Sequence, residues 1–136
     1  MKCLPDTTAW VGWLRQNQPA LVQRIQQAEA SDLLLCSVVV GELIYGVERS
    51  GPTRRVANLT LVTQLRATYT SIAFDDRAAE VYGPVRADLT ARGQSIGPND
   101  LMIATIALAN GCTLVTHNTA EFSRVPGLLI EDWQVP

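Results

Sequence analysis

Short apolar segments alternate along the chain with longer segments in which apolar residues recur every three or four positions. The short segments are the length of buried strands, and we predict strands over residues 2–5, 33–36, 71–74, 112–116 and 128–131. The longer segments have apolar residues on one helical face, and we predict helices over residues 7–16, 19–28, 39–48, 53–68, 76–93 and 99–110.

Capping and breaking residues refine these helix boundaries. Side chains that favour helix N-termini precede three of the predicted helices: Thr7 or Thr8, Ser37, and Asp75 or Asp76. Pro84 lies inside the pattern of the fifth helix. Because proline lacks an N–H group and clashes with the preceding turn, we expect a kink or a break at this residue.

Helices that alternate with short apolar strands are typical of βαβ units, which form a parallel sheet covered on both faces. No internal repeat, low-complexity tract or linker divides the 136 residues. We therefore predict a single domain over residues 1–136. Its expected architecture is a three-layer α/β/α fold with a central parallel sheet of about five short strands.

The composition is that of a globular protein, with 47% hydrophobic and 18% charged residues. No apolar run could span a bilayer, and the N-terminus lacks the apolar core of a signal peptide, so we predict a cytoplasmic protein with no membrane contact. The separated cysteines Cys3, Cys36 and Cys112 are expected to be free and buried. The net charge of −2 does not indicate a large nucleic-acid-binding surface, although ten of the eleven basic residues are arginine.

Four carboxylates lie in or next to apolar segments, where an unpaired charge is costly. Asp6 ends the first strand, and Glu121 comes shortly after the fourth. Glu42 lies in the helix after the second strand, and Asp100 opens a strongly apolar helix. Because ligands bind beyond the carboxyl ends of parallel strands, we predict that these four residues meet at one edge of the sheet and share a cation.

The type of cation follows from the ligands. Sites made only of carboxylates and water favour Mg²⁺ or Mn²⁺, and the single histidine and isolated cysteines do not match the usual zinc sites. A carboxylate-held Mg²⁺ binds phosphate oxygens and activates water for displacement at phosphorus. The chain has no phosphate-binding Walker loop, dinucleotide fingerprint or serine-hydrolase motif. Phosphodiester hydrolysis is therefore the chemistry that fits best.

An ordered set of motifs resembles the PIN-domain ribonucleases of the VapC toxin type. The matching segments are residues 4–8 (LPDTT), 37–47 (SVVVGELIYGV), 96–104 (IGPNDLMIA), 113–122 (TLVTHNTAEF), 125–128 (VPGL) and 131–133 (EDW). The resemblance implies a PIN fold, endonucleolytic cleavage of RNA with Mg²⁺ or Mn²⁺, and a homodimer. It also implies a cognate antitoxin that masks the site and through which any contact with operator DNA would be made.

The resemblance assigns roles to the acids. Asp6, Glu42 and Asp100 match the first three acids of the family, with Asp6 and Asp100 as metal ligands and Glu42 as a ligand or an orienter of bound water. Family members carry the fourth acid at the position of Asn118 or at that of Glu121, and here only Glu121 is ionisable. The chain departs from the family pattern at Pro5 and Thr8, but neither departure removes a carboxylate.

Simpler interpretations exist for each of these residues. Asp6 could cap a helix, Glu42 could be a solvated helix position, Asp100 could stabilise a helix N-terminus, and Glu121 could belong to a surface turn. His117 is expected to be exposed or packed, with contact to RNA as the alternative. Thr116 could hydrogen-bond a carboxylate or the scissile phosphate, or be an ordinary residue at a strand end.

Three functions of different classes are compatible with the sequence. The first is a toxin ribonuclease that is inhibited by an antitoxin. The second is a PIN nuclease of RNA processing or DNA transactions without an antitoxin, and the third is a binding module with a vestigial metal site. Retention of all four acids argues against the third, and a neighbouring gene for a small DNA-binding antitoxin would distinguish the first from the second.

Overall fold

Each of the five predicted strands is present, and each is two or three residues long. The computed structural model describes residues 1–136. The strands are β1 (Cys3–Pro5), β2 (Leu34–Cys36), β3 (Thr70–Ile72), β4 (Thr113–Val115) and β5 (Ile130–Glu131). The helices are α1 (Thr7–Arg15), α2 (Pro19–Gln27), α3 (Ser37–Arg49), α4 (Pro52–Thr68), α5 (Asp76–Ala91), α6 (Pro98–Ala109) and α7 (Thr119–Phe122).

All strand pairs are parallel, as predicted. β1 pairs with β4, and β4 with β5, while β2 and β3 form a separate pair. A single parallel bridge between Cys3 and Leu33 joins the two sets, so the strands follow the order β3-β2-β1-β4-β5. The direction of strand succession reverses between β1 and β4, and this is the position at which parallel sheets form their ligand sites.

The central strands and α6 form the centre of the hydrophobic core. All three residues of β1, β2 and β4 are buried. In α6, Leu101, Ile103, Ala104, Ile106 and Ala107 are also buried, which explains why its sequence is apolar on nearly every side. α6 packs along α5 and contacts α3 and β4. The apolar stretch that follows Asp100 therefore anchors that residue to the sheet.

Helix capping differs from the prediction at two of the three sites. Asp6 caps α1 by accepting a 2.9 Å hydrogen bond from the N–H of Ala9, so neither Thr7 nor Thr8 is the cap. Ser37 is already helical, and its hydroxyl instead accepts a 3.1 Å bond from the N–H of Phe74. At the third site Asp75 caps α5, as one of the two predicted residues.

The predicted break at Pro84 does not occur, because α5 is continuous from Asp76 to Ala91. Pro84 and Glu80, whose carbonyl loses its helical partner, are both exposed. Water can therefore take the place of the missing N–H group, which makes proline tolerable here.

The three cysteines are free and buried, as predicted. None of the helices combines the length and the apolar character needed to cross a membrane.

Candidate active site

Asp6 lies at the junction between the two central strands. It directly follows β1, and its N–H donates a 2.9 Å hydrogen bond to the carbonyl of Val115 at the end of β4. Its side chain is only 6% exposed. One carboxylate oxygen accepts from Ala9, and the other accepts a 2.6 Å hydrogen bond from the hydroxyl of Thr116. The capping interpretation of Asp6 is thus correct, but capping uses only one of its two oxygens.

The surroundings of Asp6 make its negative charge costly. Burial raises the pKa of Asp6, and the hydrogen bonds from Thr116 and Ala9 offset part of this effect. The nearby charges of Glu42 and Asp132 raise the pKa of Asp6 further. A cation at this position would remove the repulsion and favour the charged carboxylate.

Glu42 connects three helices at the same edge of the sheet. It lies in the second turn of α3, and one of its carboxylate oxygens accepts a short hydrogen bond from the hydroxyl of Thr7 in α1. The other oxygen accepts a 3.3 Å bond from the amide of Asn99 in α6. Neither partner was predicted to belong to the site, although both adjoin predicted acids: Thr7 follows Asp6, and Asn99 precedes Asp100.

Asp100 shows that the four predicted acids form one electrostatic cluster. It lies in the first turn of α6. Burial, followed by the negative charges of Glu121, Asp6 and Glu42, raises the pKa of Asp100 to about 6. The pKa of Asp100 is therefore raised by burial and by the neighbouring acids even though Asp100 lies at a helix N-terminus, where the helix dipole favours negative charge.

Glu121 and Asn118, which occupy the two positions at which the family carries its fourth acid, are hydrogen-bonded to each other. The Asn118 amide donates a 2.6 Å bond to one oxygen of Glu121, and the N–H of Gly97 donates a 3.1 Å bond to the other. These two bonds, in that order, lower the pKa of Glu121. Through Gly97, Glu121 fixes the loop that leads into α6, and it therefore contributes to the position of Asp100.

A fifth acid, Asp132, belongs to the motif at residues 131–133 but was not among the predicted site residues. It follows β5, and one of its carboxylate oxygens lies 2.9 Å from Nδ1 of His117, an exposed residue that follows β4. The parallel pairing of β4 with β5 explains this approach, since the N–H of Thr116 donates to the carbonyl of Glu131 at 3.0 Å. Asp132 could have been identified from the sequence, because it immediately follows a predicted strand.

The residues of the cluster fit a hydrated Mg²⁺ or Mn²⁺ ion. None of the four predicted acids makes an ion pair with a basic side chain. No group of three or more histidine, cysteine or acidic side chains is arranged so that it could hold a metal ion by itself. Mg²⁺ does not require such a set, because it usually binds one or two carboxylates and keeps several waters. Asp6 and Asp100 could supply these carboxylates.

Comparison with known proteins shows the family to which the chain belongs. The family model for the PIN domain matches residues 3–128. The tRNA(fMet)-specific endonuclease VapC of Salmonella typhimurium is 35% identical over 133 residues, which is 98% of each chain.

Solved structures show the same likeness in three dimensions. The DNA-bound VapBC of Salmonella typhimurium contains a chain with a TM-score of 0.90 and 33% identity, with 98% of each chain covered. VapBC2 of Rickettsia felis bound to a promoter DNA fragment contains a chain with a TM-score of 0.88 and 30% identity, covering 98% of this chain and 99% of that one. These matches confirm the predicted PIN-like α/β/α fold. The chain belongs to the PIN-domain family and, within it, to the VapC ribonucleases.

Proposed function

We propose that this chain is the toxin of a toxin–antitoxin pair and that it hydrolyses RNA phosphodiester bonds with Mg²⁺ or Mn²⁺. The observation that carries the proposal is the cluster of Asp6, Glu42, Asp100 and Glu121 at the switch point of the sheet. Burial, followed by the negative charges of the other three acids, raises the pKa of Asp100 to about 6, and no basic side chain pairs with any of the four. Such a site is suited to a cation and a phosphate group.

The side chains divide the catalytic work. When bound, the metal ion neutralises charge on phosphate oxygens and lowers the pKa of water. Asp6 and Asp100 hold the ion through their carboxylates. Glu42, fixed by its hydrogen bonds to Thr7 and Asn99, either adds a further carboxylate ligand or orients the attacking water. Glu121 supplies negative charge at the edge of the site and holds the loop before α6.

The first RNA to assay is the initiator tRNA. The Salmonella typhimurium relative is named a tRNA(fMet)-specific endonuclease, and its likeness to this chain extends over 98% of both sequences. A shared substrate requires shared surfaces around the acids, and the absence of large insertions or deletions supports this expectation.

We also propose that the active form is a homodimer bound by a cognate antitoxin when inhibited. The similar chains of Salmonella typhimurium and Rickettsia felis were solved as VapBC proteins bound to DNA, and in our proposal the antitoxin makes any contact with operator DNA. Apolar side chains on the exposed side of α4 support association, since Val56 is 72% and Leu59 39% exposed. Light scattering at several protein concentrations tests the dimer.

Growth of a bacterial host tests the toxin proposal. Induced expression of the wild-type chain should arrest growth, and co-expression of the adjacent antitoxin gene should restore it. Asp6→Asn should not cause arrest at an equal protein level. A host that grows normally while it accumulates folded wild-type protein would contradict a toxin function and favour a PIN nuclease without an antitoxin.

A further inference from the structure

The largest cavity of the molecule is a groove between α1, α3 and α4. Its volume is about 750 Å³, and Glu42 of the acid cluster is one of its lining residues. The groove therefore begins at the candidate active site and extends away from it over the surface. The roles proposed above for the acids do not explain why such a groove is present.

Three arginines line this groove: Arg15 at the end of α1, Arg49 at the end of α3 and Arg54 in the first turn of α4. All three are exposed, and none of their guanidinium groups donates a hydrogen bond or forms an ion pair within the protein. Arg49 only lies over the ring of Tyr45, with its guanidinium carbon 5.4 Å from the ring centroid. Of the other arginines, all except Arg66 donate hydrogen bonds to protein groups.

We propose that this groove binds the backbone phosphates of the RNA next to the scissile bond, with Arg15, Arg49 and Arg54 as the phosphate-binding residues. The inference rests on the proposed ribonuclease function. The charged lining consists of three arginines and Glu42, whereas the whole chain has a net charge of −2. Positive charge is thus concentrated beside the acids, and the planar guanidinium group matches two phosphate oxygens at once.

The geometry of α3 sets the distance between Glu42 at the candidate active site and Arg49 in the groove. Glu42, Gly46 and Arg49 are spaced by four and three residues, so they lie on the same face of the helix. Seven residues of helix correspond to about 10 Å along the axis. Arg49 therefore lies along α3 from Glu42 in the direction of the groove, where it can reach a phosphate near the scissile one.

RNA fits this groove better than a protein segment does, because the groove ends at Glu42 of the acid cluster. An acidic peptide would also pair with the arginines, but it would meet the negative charge of Glu42 at the end of the groove. A nucleic acid must pass Glu42 to bring its scissile phosphate to the metal site, and there the cation would compensate the charge.

Charge-removing variants with a matched control test the proposal. The test variant is Arg49→Gln with Arg54→Gln, and the control is Arg66→Gln, which removes a free arginine from the same helix as Arg54 but outside the groove. Gly46→Phe adds a steric test, because a Cβ atom at Gly46 meets nothing within 4 Å and the ring would fill the groove without changing the charge. Each protein is assayed for RNA cleavage with Mg²⁺ and, in chelator, for binding of the same fluorescent RNA.

We expect the double variant to raise KM and weaken binding by roughly threefold to tenfold for each arginine removed, with kcat unchanged within about twofold. The slope of log affinity against log salt should fall by about 0.7 for each lost phosphate contact. Arg66→Gln should behave as the wild type, and Gly46→Phe should raise KM. Stepwise shortening of the RNA on one side of the cut should abolish the effect of the arginine variants.

If Arg66→Gln weakened RNA binding as much as the groove variants do, the effect would come from the overall charge of the protein. That result would overturn the proposal. Unchanged KM and RNA binding, combined with weaker binding of the co-purified antitoxin, would assign the groove to the protein partner instead. RNA binding that depends on the arginines, without any cleavage by the wild type, would support the groove and contradict the ribonuclease function. The two proposals can therefore fail separately.

Discussion

The hydroxyl of Thr116 donates a 2.6 Å hydrogen bond to Oδ2 of Asp6. These residues directly follow β4 and β1, whose register pairs Val115 with Pro5. Since Asp6 is buried and its burial raises its pKa, the hydrogen bond from Thr116 favours the charged carboxylate that a cation requires. The prediction that Thr116 could hydrogen-bond a carboxylate is confirmed, and the residue becomes a positioning element of the site.

Thr116→Val keeps the shape of the side chain and removes its donor. We expect metal affinity to fall roughly 10- to 100-fold, the usual cost of losing a hydrogen bond to a metal ligand. A Mg²⁺ titration of the cleavage rate measures this change. Thr113→Val is the control, because Thr113 is buried in β4, the strand that Thr116 follows, but its hydroxyl hydrogen-bonds only the sulfur of Met1. Equal titration curves for Thr116→Val and the wild type would contradict the proposed role.

Asp6→Asn should abolish cleavage while the protein still folds. Its amide oxygen can keep the bond from Ala9, and its NH₂ group can donate to the Thr116 hydroxyl. Removal of a buried charge that is repelled by Glu42 should leave the metal-free protein at least as stable as the wild type. Thermal unfolding followed by circular dichroism tests this, with Glu80→Gln on exposed α5 as the charge-matched control. A strongly lowered melting temperature for Asp6→Asn would show that the charge is structural.

Asp100 should make the stability of the metal-free protein depend on pH. Its folded pKa is raised from 3.8 to about 6, so its contribution to stability is present below about pH 4 and is lost as the pH rises through about 6. The shift corresponds to at most about 3 kcal/mol, which solvent screening of this half-buried group reduces to about 1–2 kcal/mol.

Asp100→Asn should therefore stabilise the metal-free protein near pH 7 and have little effect near pH 4. Urea unfolding of both proteins across this range measures the difference. Added Mg²⁺ should stabilise the wild type more than the variant, because binding to the folded state shifts the unfolding equilibrium. A stability difference that is independent of pH would indicate that the charge of Asp100 is not the cause.

Glu121→Gln should cut cleavage strongly and raise the Mg²⁺ requirement, since it removes negative charge. Its NH₂ group would also face one of two hydrogen-bond donors, the N–H of Gly97 or the amide of Asn118, and so lose a hydrogen bond. Asn118→Ala should cost less, because a neutral amide offers only hydrogen bonds. Because the two side chains contact each other, the double variant should be non-additive. If Glu121→Gln matches the wild type while Asn118→Ala is inactive, the site uses three acids and an amide.

Local sequence patterns were sufficient to predict the strands and to select the four acids as candidates. β1 and β4 are short apolar segments, and Asp6 is the first charged residue after β1. Because parallel strands present their carboxyl ends at one edge, the approach of Asp6 to the other acids followed from topology. The order of the strands did not follow from these patterns, and β1 and β2 are joined only by one bridge between Cys3 and Leu33.

The partners of the acids could not be predicted, because they depend on contacts between distant parts of the chain. Thr116 is 110 residues from Asp6, and Asn99 is 57 residues from Glu42. Nothing local to these residues specifies which carboxylate they contact. The absence of a break at Pro84 has a different cause: a proline is most disruptive where the freed carbonyl is buried, and here that carbonyl belongs to an exposed residue.

Metal-dependent cleavage by purified protein tests the central claim most directly. Initiator tRNA is incubated with wild-type protein and with Asp6→Asn purified in the same way, each with Mg²⁺, with Mn²⁺ and with a chelator. We predict cleavage at defined sites only by the wild type and only with a divalent metal, and recovery of activity when metal is restored after chelation. Full activity of the wild type in chelator, or equal cleavage by Asp6→Asn, would contradict the proposal that these carboxylates hold the ion that cleaves RNA.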